Sequence, residues 1–350
     1  AKLLAARHFH MVILDESQTI KNFTAPQTHS VHMLNADKRF ALSGTPIENN
    51  LSELYSLFRF LNPAMFGSMD RFNREYVLPI ARDKDSGALE SLRRKIFPFM
   101  LRRLKKDVLH DLPARIDQTL YVEMTPEHAQ FYEDRRKYYL EKVRDSIAVD
   151  GARGSQFVMF QALSELRRIA SVPDSLTDGQ IQSPKIELLA ERIESAVDNG
   201  YKAVVFFNFI AGLEILARRL EETGIHCLTM TGATHDRRSI INTFQNNPEC
   251  RVLIMTLKTG GVGLNLTAAD TVFIAEPWWN KAAEEQAINR LHRIGQKSTV
   301  FCFATIVKNT IEEKIRELQL IKSDLFNDVI GCDEASSKNL TEEDINFILS

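Results

Sequence analysis

The sequence predicts an α/β protein with two parallel sheets and a mainly helical stretch between them. Three observations lead there. Short β-branched or apolar runs alternate with amphipathic helical runs in two separate regions, the pattern of parallel layers. Between those regions, from about Pro63 to Ile169, helical spacing dominates. The first strand-like run ends in adjacent carboxylates, Asp15 and Glu16, at the position where open α/β sheets bind ligands.

The elements follow in order. Strands are expected at Phe9–Leu14 and Arg39–Leu42, then a helix near Leu51–Leu61. In "TPEHAQFYEDRRKYYLEKVRDSI", Thr125 suits an N-cap and Pro126 the first helical position of a long, charged helix. Ser171–Ser183 has the Pro/Gly/Ser/Asp content of a linker. A helix then starts at Pro184, with Ile186, Leu189, Ile193 and Val197 at helical spacing. Strands follow at Ala203–Phe207, Cys227–Met230, Val252–Thr256, Thr271–Ala275 and Val300–Ile306. After Gly331 the chain is acidic and polar, and "LTEEDINFILS" is expected to form a short docking helix.

The 350 residues allow two domains, and a net charge of −2 gives no global sign of nucleic acid, so any DNA contact falls to local basic patches. Four scattered cysteines, Cys227, Cys250, Cys302 and Cys332, form no C-x-x-C pair, which argues against zinc and a disulfide framework and for a reducing compartment. No apolar run approaches the ~18 residues of a membrane span, and neither a membrane partner nor a secretory leader is expected.

Four stretches carry chemistry. Asp15 suits Mg²⁺, usually through water, and Glu16 suits polarising an attacking water; a lone Asp–Glu pair is also found in solvated turns. In "ALSGTPIENNLSELYSLFRFLNP", Ser43, Gly44 and Thr45 follow a strand, with small residues that admit close backbone approach; an ordinary strand–helix turn is the alternative. In "VLIMTLKTGGVGLNLTAAD", Gly260, Gly261 and Gly263 suit a loop offering N–H groups to phosphate, and Lys258 and Thr259 suit a nucleic-acid backbone; a simple turn also fits. In "EEQAINRLHRIGQ", helical spacing puts Gln286, Arg290 and Arg293 on one face, with Gly295 as a C-terminal cap. Two guanidiniums there suit a triphosphate, while a solvated basic face is the alternative, and His292 is expected to bond locally.

Together and in this order, these stretches resemble the SWI/SNF-type remodelling ATPases of helicase superfamily two. "LDESQTIKN" and "LSGTPIENNLSELYSLFRFLNP" match the first lobe, and "FPFMLRRLKKDVLHDLP" the basic segment between lobes. "KAVVFFNFIAGLEIL", "LTMTGATHDRRSIINTF", "LKTGGVGLNLTAAD" and "INRLHRIGQ" match the second lobe in turn, so the resemblance runs from about Phe9 to Glu313.

The resemblance implies two RecA-like lobes of the P-loop NTPase kind that close on ATP and track one strand of duplex DNA. It assigns Asp15 and Glu16 to Mg²⁺ and water, and Ser43, Gly44, Thr45 and Gln286 to coupling. Gly261, Gly263, Arg290 and Arg293 go to the nucleotide, with the arginines reaching its γ-phosphate. Lys258, Thr259 and Gly260 go to DNA, and the basic segment Leu92–Asp107, with Arg102 and Arg103, suits DNA phosphates, bracing of the two lobes being its alternative role. Trp278–Trp279 match an aromatic pair of the family, for which a packed corner is the alternative role. The sequence departs from the family in having Glu276 for Asp, Lys281 for Pro and Asn289 for Asp.

The family grips ATP phosphates with G-x-x-x-x-G-K-[ST], yet none of the 15 glycines is followed by lysine, and fourteen residues precede Asp15. The loop is expected before residue 1. The first lobe is then incomplete and its upstream half is required, the second lobe is complete, and the chain alone is inactive. The expected division is 1–62 for the end of the first lobe, 63–170 for a helical insertion, 171–183 for a linker, 184–325 for the second lobe and 326–350 for a tail. The expected activity is ATP-dependent translocation on double-stranded DNA against a bound complex such as a nucleosome or RNA polymerase. A non-catalytic docking module on the second lobe and a strand-separating helicase are the alternatives. The expected location is the nucleoid in a prokaryote and the nucleus in a eukaryote.

Overall fold

The computed structural model describes residues 2–44, 51–82, 85–101, 103, 105–109, 111–260 and 263–319. Thr45, Arg102, Gly261 and the tail 326–350, all named in the expectations above, lie outside the described residues. The chain forms two compact units, one from residues 1–104 with 280–282, the other from 105–279 and 283–318. Among the described residues no helix is long and apolar enough to cross a membrane.

In the first unit, β1 (His8–Leu14) pairs in parallel with β2 (Asn35–Ala41), running from His8 opposite Asn35 to Leu14 opposite Ala41. β2 starts four residues before the expected strand because Asn35, Asp37 and Lys38 are polar. They carry no apolar signal, and pairing with β1 makes them a strand. Helix Leu51–Leu61 buries Leu51, Leu54, Tyr55 and Phe58, one stripe at i, i+3, i+4 and i+7. That stripe packs on Phe66, Phe72, Tyr76, Leu92 and Ile96, so the core of this unit is largely aromatic.

The second unit is built on six parallel strands: β3 (Arg115–Val122), β4 (Ala203–Phe207), β5 (Cys227–Met230), β6 (Val252–Thr256), β7 (Thr271–Ile274) and β8 (Val300–Val307). Their order is β3-β8-β7-β4-β6-β5. β4, β6 and β7 are buried throughout, which is why "AVVFF", "VLIMT" and "TVFI" read as unbroken apolar runs. Alternate residues serve opposite faces. Val204, Phe206, Leu253 and Met255 face one core with Phe244 and Leu291. Val205, Phe207 and Ile254 face the other with Ile186, Leu189, Leu213 and Leu216.

β3 is a finding the sequence did not announce. The stretch 63–170, expected to be mainly helical, supplies this edge strand, which pairs along its length with β8. Arg115, Asp117 and Gln118 break the apolar run that marked the other strands, and an edge strand tolerates such residues on its open side.

Thr125 caps the long helix Pro126–Gly154, accepting the His128 N–H at 3.2 Å. That helix packs on Gln156–Ser171 through Tyr139, Val143, Leu163 and Leu166. The connection Ser171–Ser183 is pinned at both ends. The Ser171 hydroxyl donates to Glu276 at 2.8 Å, and the Ser183 hydroxyl donates to the Ser171 carbonyl at 2.6 Å. Ser183 also accepts the Ile186 N–H as N-cap of helix Pro184–Asp198, with proline at the first position.

Candidate functional site

Parallel pairing brings the ends of β1 and β2 side by side, and with them the first two chemical motifs. The Ser17 N–H donates to the Leu42 carbonyl at 2.9 Å, and the Leu42 N–H to the Leu14 carbonyl at 2.7 Å. Glu16 adopts a left-handed conformation, φ 48° and ψ 52°, which costs a residue with a Cβ of order 1–3 kcal/mol. The Asp15 carboxylate accepts the Glu16 N–H at 2.9 Å. A side-chain link follows. The Gln18 amide donates to Glu16 Oε2 at 2.6 Å, and its carbonyl accepts from the Ser43 hydroxyl at 2.9 Å. Glu16, Gln18 and Ser43 thus form one chain from the carboxylate pair to the next motif. Gln18 was not singled out from the sequence; the signal was its place two residues after the glutamate of "DESQ". At Gly44, an added Cβ would meet nothing within 4 Å.

A single carboxylate at a strand end suits Mg²⁺ that arrives with a nucleotide, because that ion keeps waters and phosphate oxygens as its other ligands. Among the described residues no cluster of three or more His, Cys, Asp or Glu could hold a resident metal.

In the second unit the arginine motif departs from the helical expectation. Helix Lys281–Ile288 ends before Arg290, and Arg290 and Arg293 lie in the turns that follow. Gln286, in the last turn of that helix, therefore does not continue into one helical face with them. Gly295 has φ +103° but lies beyond the helix end. Tertiary bonds win over helical spacing here. The Arg290 carbonyl accepts the Leu266 N–H at 3.0 Å, and Leu291 is fully buried in the core. The Gln296 amide donates to the Ala269 carbonyl at 2.7 Å, and its own carbonyl accepts Lys297 and Ser298 N–H groups. Arg293 reaches the Leu264 carbonyl at 3.4 Å. The arginine loop therefore lies against the segment that follows the glycine motif. His292 donates to the Pro113 carbonyl at 2.8 Å, a local bond as expected.

Residues Leu257–Gly260 of the glycine motif form a helical turn. Lys258 is exposed. Thr259 is turned inward, 3% exposed, its hydroxyl 2.7 Å from that of Thr256, so its side chain does not face solvent as a DNA-contacting residue needs to. A Cβ on Gly260 would sit 2.5 Å from the Phe206 ring, so glycine is required there for packing. Gly263, at φ +43°, is exposed. In the first unit, Arg103 is exposed.

Behind the strand ends lies a buried charge network that the sequence did not suggest. Arg167, 4% exposed, donates to the Pro277 carbonyl at 3.0 Å. Its guanidinium lies 4.9 Å from the Trp278 ring centre, 4.5 Å from that of Trp279 and 5.2 Å from that of Phe209. Burial pushes the Arg167 pKa down, and the carboxylates of Glu276, Glu312 and Glu284 oppose that push. Glu276 accepts the Asn208 N–H at 2.7 Å, the Phe209 N–H at 3.2 Å and the Ser171 hydroxyl. Lys185 donates to both oxygens of Glu312 at 2.6 and 2.7 Å, and to the Ala275 carbonyl at 2.8 Å. The tryptophan pair is thus a packed corner closed over a cation.

Comparison with known proteins gives the family. A SNF2-related domain model matches residues 1–175, and a helicase conserved C-terminal domain model matches residues 184–295. An "Uncharacterized ATP-dependent helicase" of Mycoplasma pneumoniae is 35% identical over 346 residues, 98% of this chain and 33% of its own length. TATA-binding protein-associated factor 172 of Homo sapiens is 33% identical over 393 residues, 95% of this chain and 21% of its own length. The solved Sulfolobus solfataricus SWI2/SNF2 ATPase core in complex with dsDNA is similar with a TM-score of 0.54 and 33% identity, over 94% of this chain and 70% of that one. The chain spans a third or less of the length of these two curated relatives. It belongs to the SWI2/SNF2-type helicase family, and its parallel sheets and helices are the RecA-like α/β fold of that family's ATPase cores.

Proposed function

We propose that this chain belongs to an ATP-driven double-stranded DNA translocase that displaces or remodels a DNA-bound protein. The observation that carries the proposal is the hydrogen-bonded chain from Glu16 through Gln18 to Ser43. It ties the carboxylate suited to polarising water to the motif expected to couple hydrolysis to DNA. Mg²⁺, when bound with ATP, neutralises charge on the phosphate oxygens. Asp15 would supply a carboxylate to it, and Glu16, whose carboxylate Gln18 holds, would polarise the attacking water. Arg290 and Arg293 supply guanidinium charge for the γ-phosphate, a contribution worth roughly 10³–10⁵ in rate for an arginine finger. Gly263 is assigned to the nucleotide as well. Lys258 and Arg103, both exposed, are assigned to DNA phosphates without base reading.

The likeness to a TATA-binding protein-associated factor supports a DNA-bound protein complex as the target. The likeness to an ATPase core solved with dsDNA supports duplex DNA as the track. The sequence holds no G-x-x-x-x-G-K-[ST], so efficient hydrolysis is expected only in a protein that carries that loop as well. The proposed division keeps 1–62 in the first lobe, 171–183 as the connection, 184–325 as the second lobe and 326–350 as a tail; of the insertion 63–170, β3 joins the sheet of the second unit.

The test compares DNA-stimulated ATP hydrolysis by this 350-residue chain and by a protein extended upstream. Stimulated turnover in the longer protein, its loss in Asp15→Asn, and little turnover in the chain alone are expected. Brisk turnover by the chain alone would contradict the assignment of the phosphate loop. A strand-displacement assay on the longer protein separates translocation from unwinding. Lys258→Ala is expected to reduce the salt slope of DNA binding by about 0.9, one phosphate contact.

A further inference from the structure

Arg290 and Arg293 sit in turns, not on a helix, so something other than helical geometry must fix them. One side of that loop is held by the Leu264–Leu266 backbone. The other side, with the helix that leads into it, is held by a segment 170 or more residues away in sequence.

Three residues make this second hold. The Lys105 ammonium donates to Asn289 Oδ1 at 2.6 Å and to the His292 carbonyl at 2.9 Å. The Pro113 carbonyl accepts from His292 Nε2 at 2.8 Å. Arg115 grips Glu285 with two parallel bonds, at 2.6 and 2.8 Å. The Arg115 and Glu285 side chains are only 19% and 15% exposed, and a bidentate pair of this kind is directional as well as strong. Burial pushes the Arg115 pKa down, but Glu285 and then Asp117 outweigh it, and the net shift is upward. Arg115 is anchored in turn, because β3 pairs with β8 and the Val300 N–H donates to the Ala114 carbonyl at 2.9 Å.

We propose that Lys105 and Arg115 are positioning residues for the arginine loop, the two arms of a clasp that runs from Lys105 to the first residue of β3: Lys105 holds Asn289 and His292 in the loop, and Arg115 holds Glu285 in the helix that leads into it. The proposal rests on the assignment of Arg290 and Arg293 to the nucleotide. It gives the end of the basic segment a bracing role inside the second unit. It also gives the Asn289 departure a consequence. The Lys105 ammonium makes a charge-assisted bond to the neutral Asn289 amide, where an Asp would add the opposite charge of an ion pair, so the hold at this point is weaker here.

The test uses the full-length protein with two readouts, amide hydrogen exchange at residues 290–293 and steady-state ATP hydrolysis. Lys105→Ala removes an exposed arm with little risk to folding. Arg115→Lys keeps the charge and loses the bidentate grip. Each is expected to speed exchange at those amides about tenfold or more, with exchange in β4 and β6 unchanged. Each is expected to lower kcat about fivefold or more while KM for ATP stays within about twofold, as when an interaction made only in the transition state is lost. Arg115→Glu combined with Glu285→Arg is expected to recover part of both losses, and Asn289→Asp to slow loop exchange. Unchanged loop exchange in both single variants would overturn the clasp. Faster exchange with unchanged kcat would overturn its positioning role. If the wild-type protein hydrolysed no ATP, the nucleotide assignment would fail and the positioning role with it, while the exchange comparison would still decide the clasp.

Discussion

The Ser43 hydroxyl donates to the Gln18 side-chain carbonyl at 2.9 Å, and the same amide donates to Glu16 at 2.6 Å. One side chain therefore fixes the distance between a carboxylate at the end of β1 and a hydroxyl just past β2. Gln18→Ala is expected to leave folding nearly intact, with a loss of about 1 kcal/mol or less, since a half-exposed hydrogen bond contributes little net stability. In a protein that also carries the phosphate-gripping loop it should lower DNA-stimulated turnover about tenfold, the rate equivalent of one hydrogen bond. Gln18→Glu cannot donate to Glu16 when ionised and should behave like the alanine variant. Thermal unfolding alongside DNA-stimulated ATPase rates checks both.

The two glycines of the coupling and glycine motifs should differ sharply. Gly260→Ala drives a methyl to 2.5 Å from the Phe206 ring, which is 1% exposed and packed in the core. Overpacking of this kind costs about 1–3 kcal/mol. Gly44→Ala meets open space and should leave the melting temperature close to that of the wild type. Denaturant unfolding of the two variants provides the comparison.

Arg167 should carry more of the stability of the second unit than its charge suggests. Arg167→Met removes the buried cation that offsets the Glu276 carboxylate, while Glu312 keeps Lys185, a loss of about 3–5 kcal/mol. Arg167→Lys keeps charge but loses the planar stacking, worth about 2 kcal/mol when desolvated. Both tryptophans of the chain, Trp278 and Trp279, lie over this guanidinium. Intrinsic fluorescence should therefore report each variant directly. An unchanged emission spectrum and melting curve in Arg167→Met would refute the role.

His128 should make stability sensitive to mild acid. Its ring is fully buried, with Nε2 donating to the Ile169 carbonyl at 2.7 Å and Nδ1 buried without a hydrogen-bond partner. Burial holds its pKa below the ordinary 6.5, and Lys185 adds to that effect against the Ile169 bond. The folded state then binds fewer protons than the unfolded state between the two values. Stability is full above about pH 6.5, the unfolded value, and is lost as pH falls through the lowered folded-state value. His128→Gln should flatten this part of the profile, measured as urea midpoints between about pH 7.5 and 5.

Much of this protein was legible in its sequence because local rules and tertiary demands agree there. β4, β5 and β6 lie where apolar runs predicted them, since strands buried on both faces or capped by turns announce themselves. Thr125, Ser183 and Pro184 begin their helices as capping chemistry requires. The ordered motifs from Asp15 to Arg293 were enough to suggest the family. Tertiary structure decided the rest. β3 is a strand because β8 pairs with it, not because "RIDQTLYV" is apolar. The helix before Arg290 stops at Ile288, where the buried side chain of Leu291 and bonds to Leu266 and Ala269 outweigh continued helical spacing. Gln18, Arg167, Lys105 and Arg115 find partners between 25 and 187 residues away, and no periodicity or local motif encodes such distances.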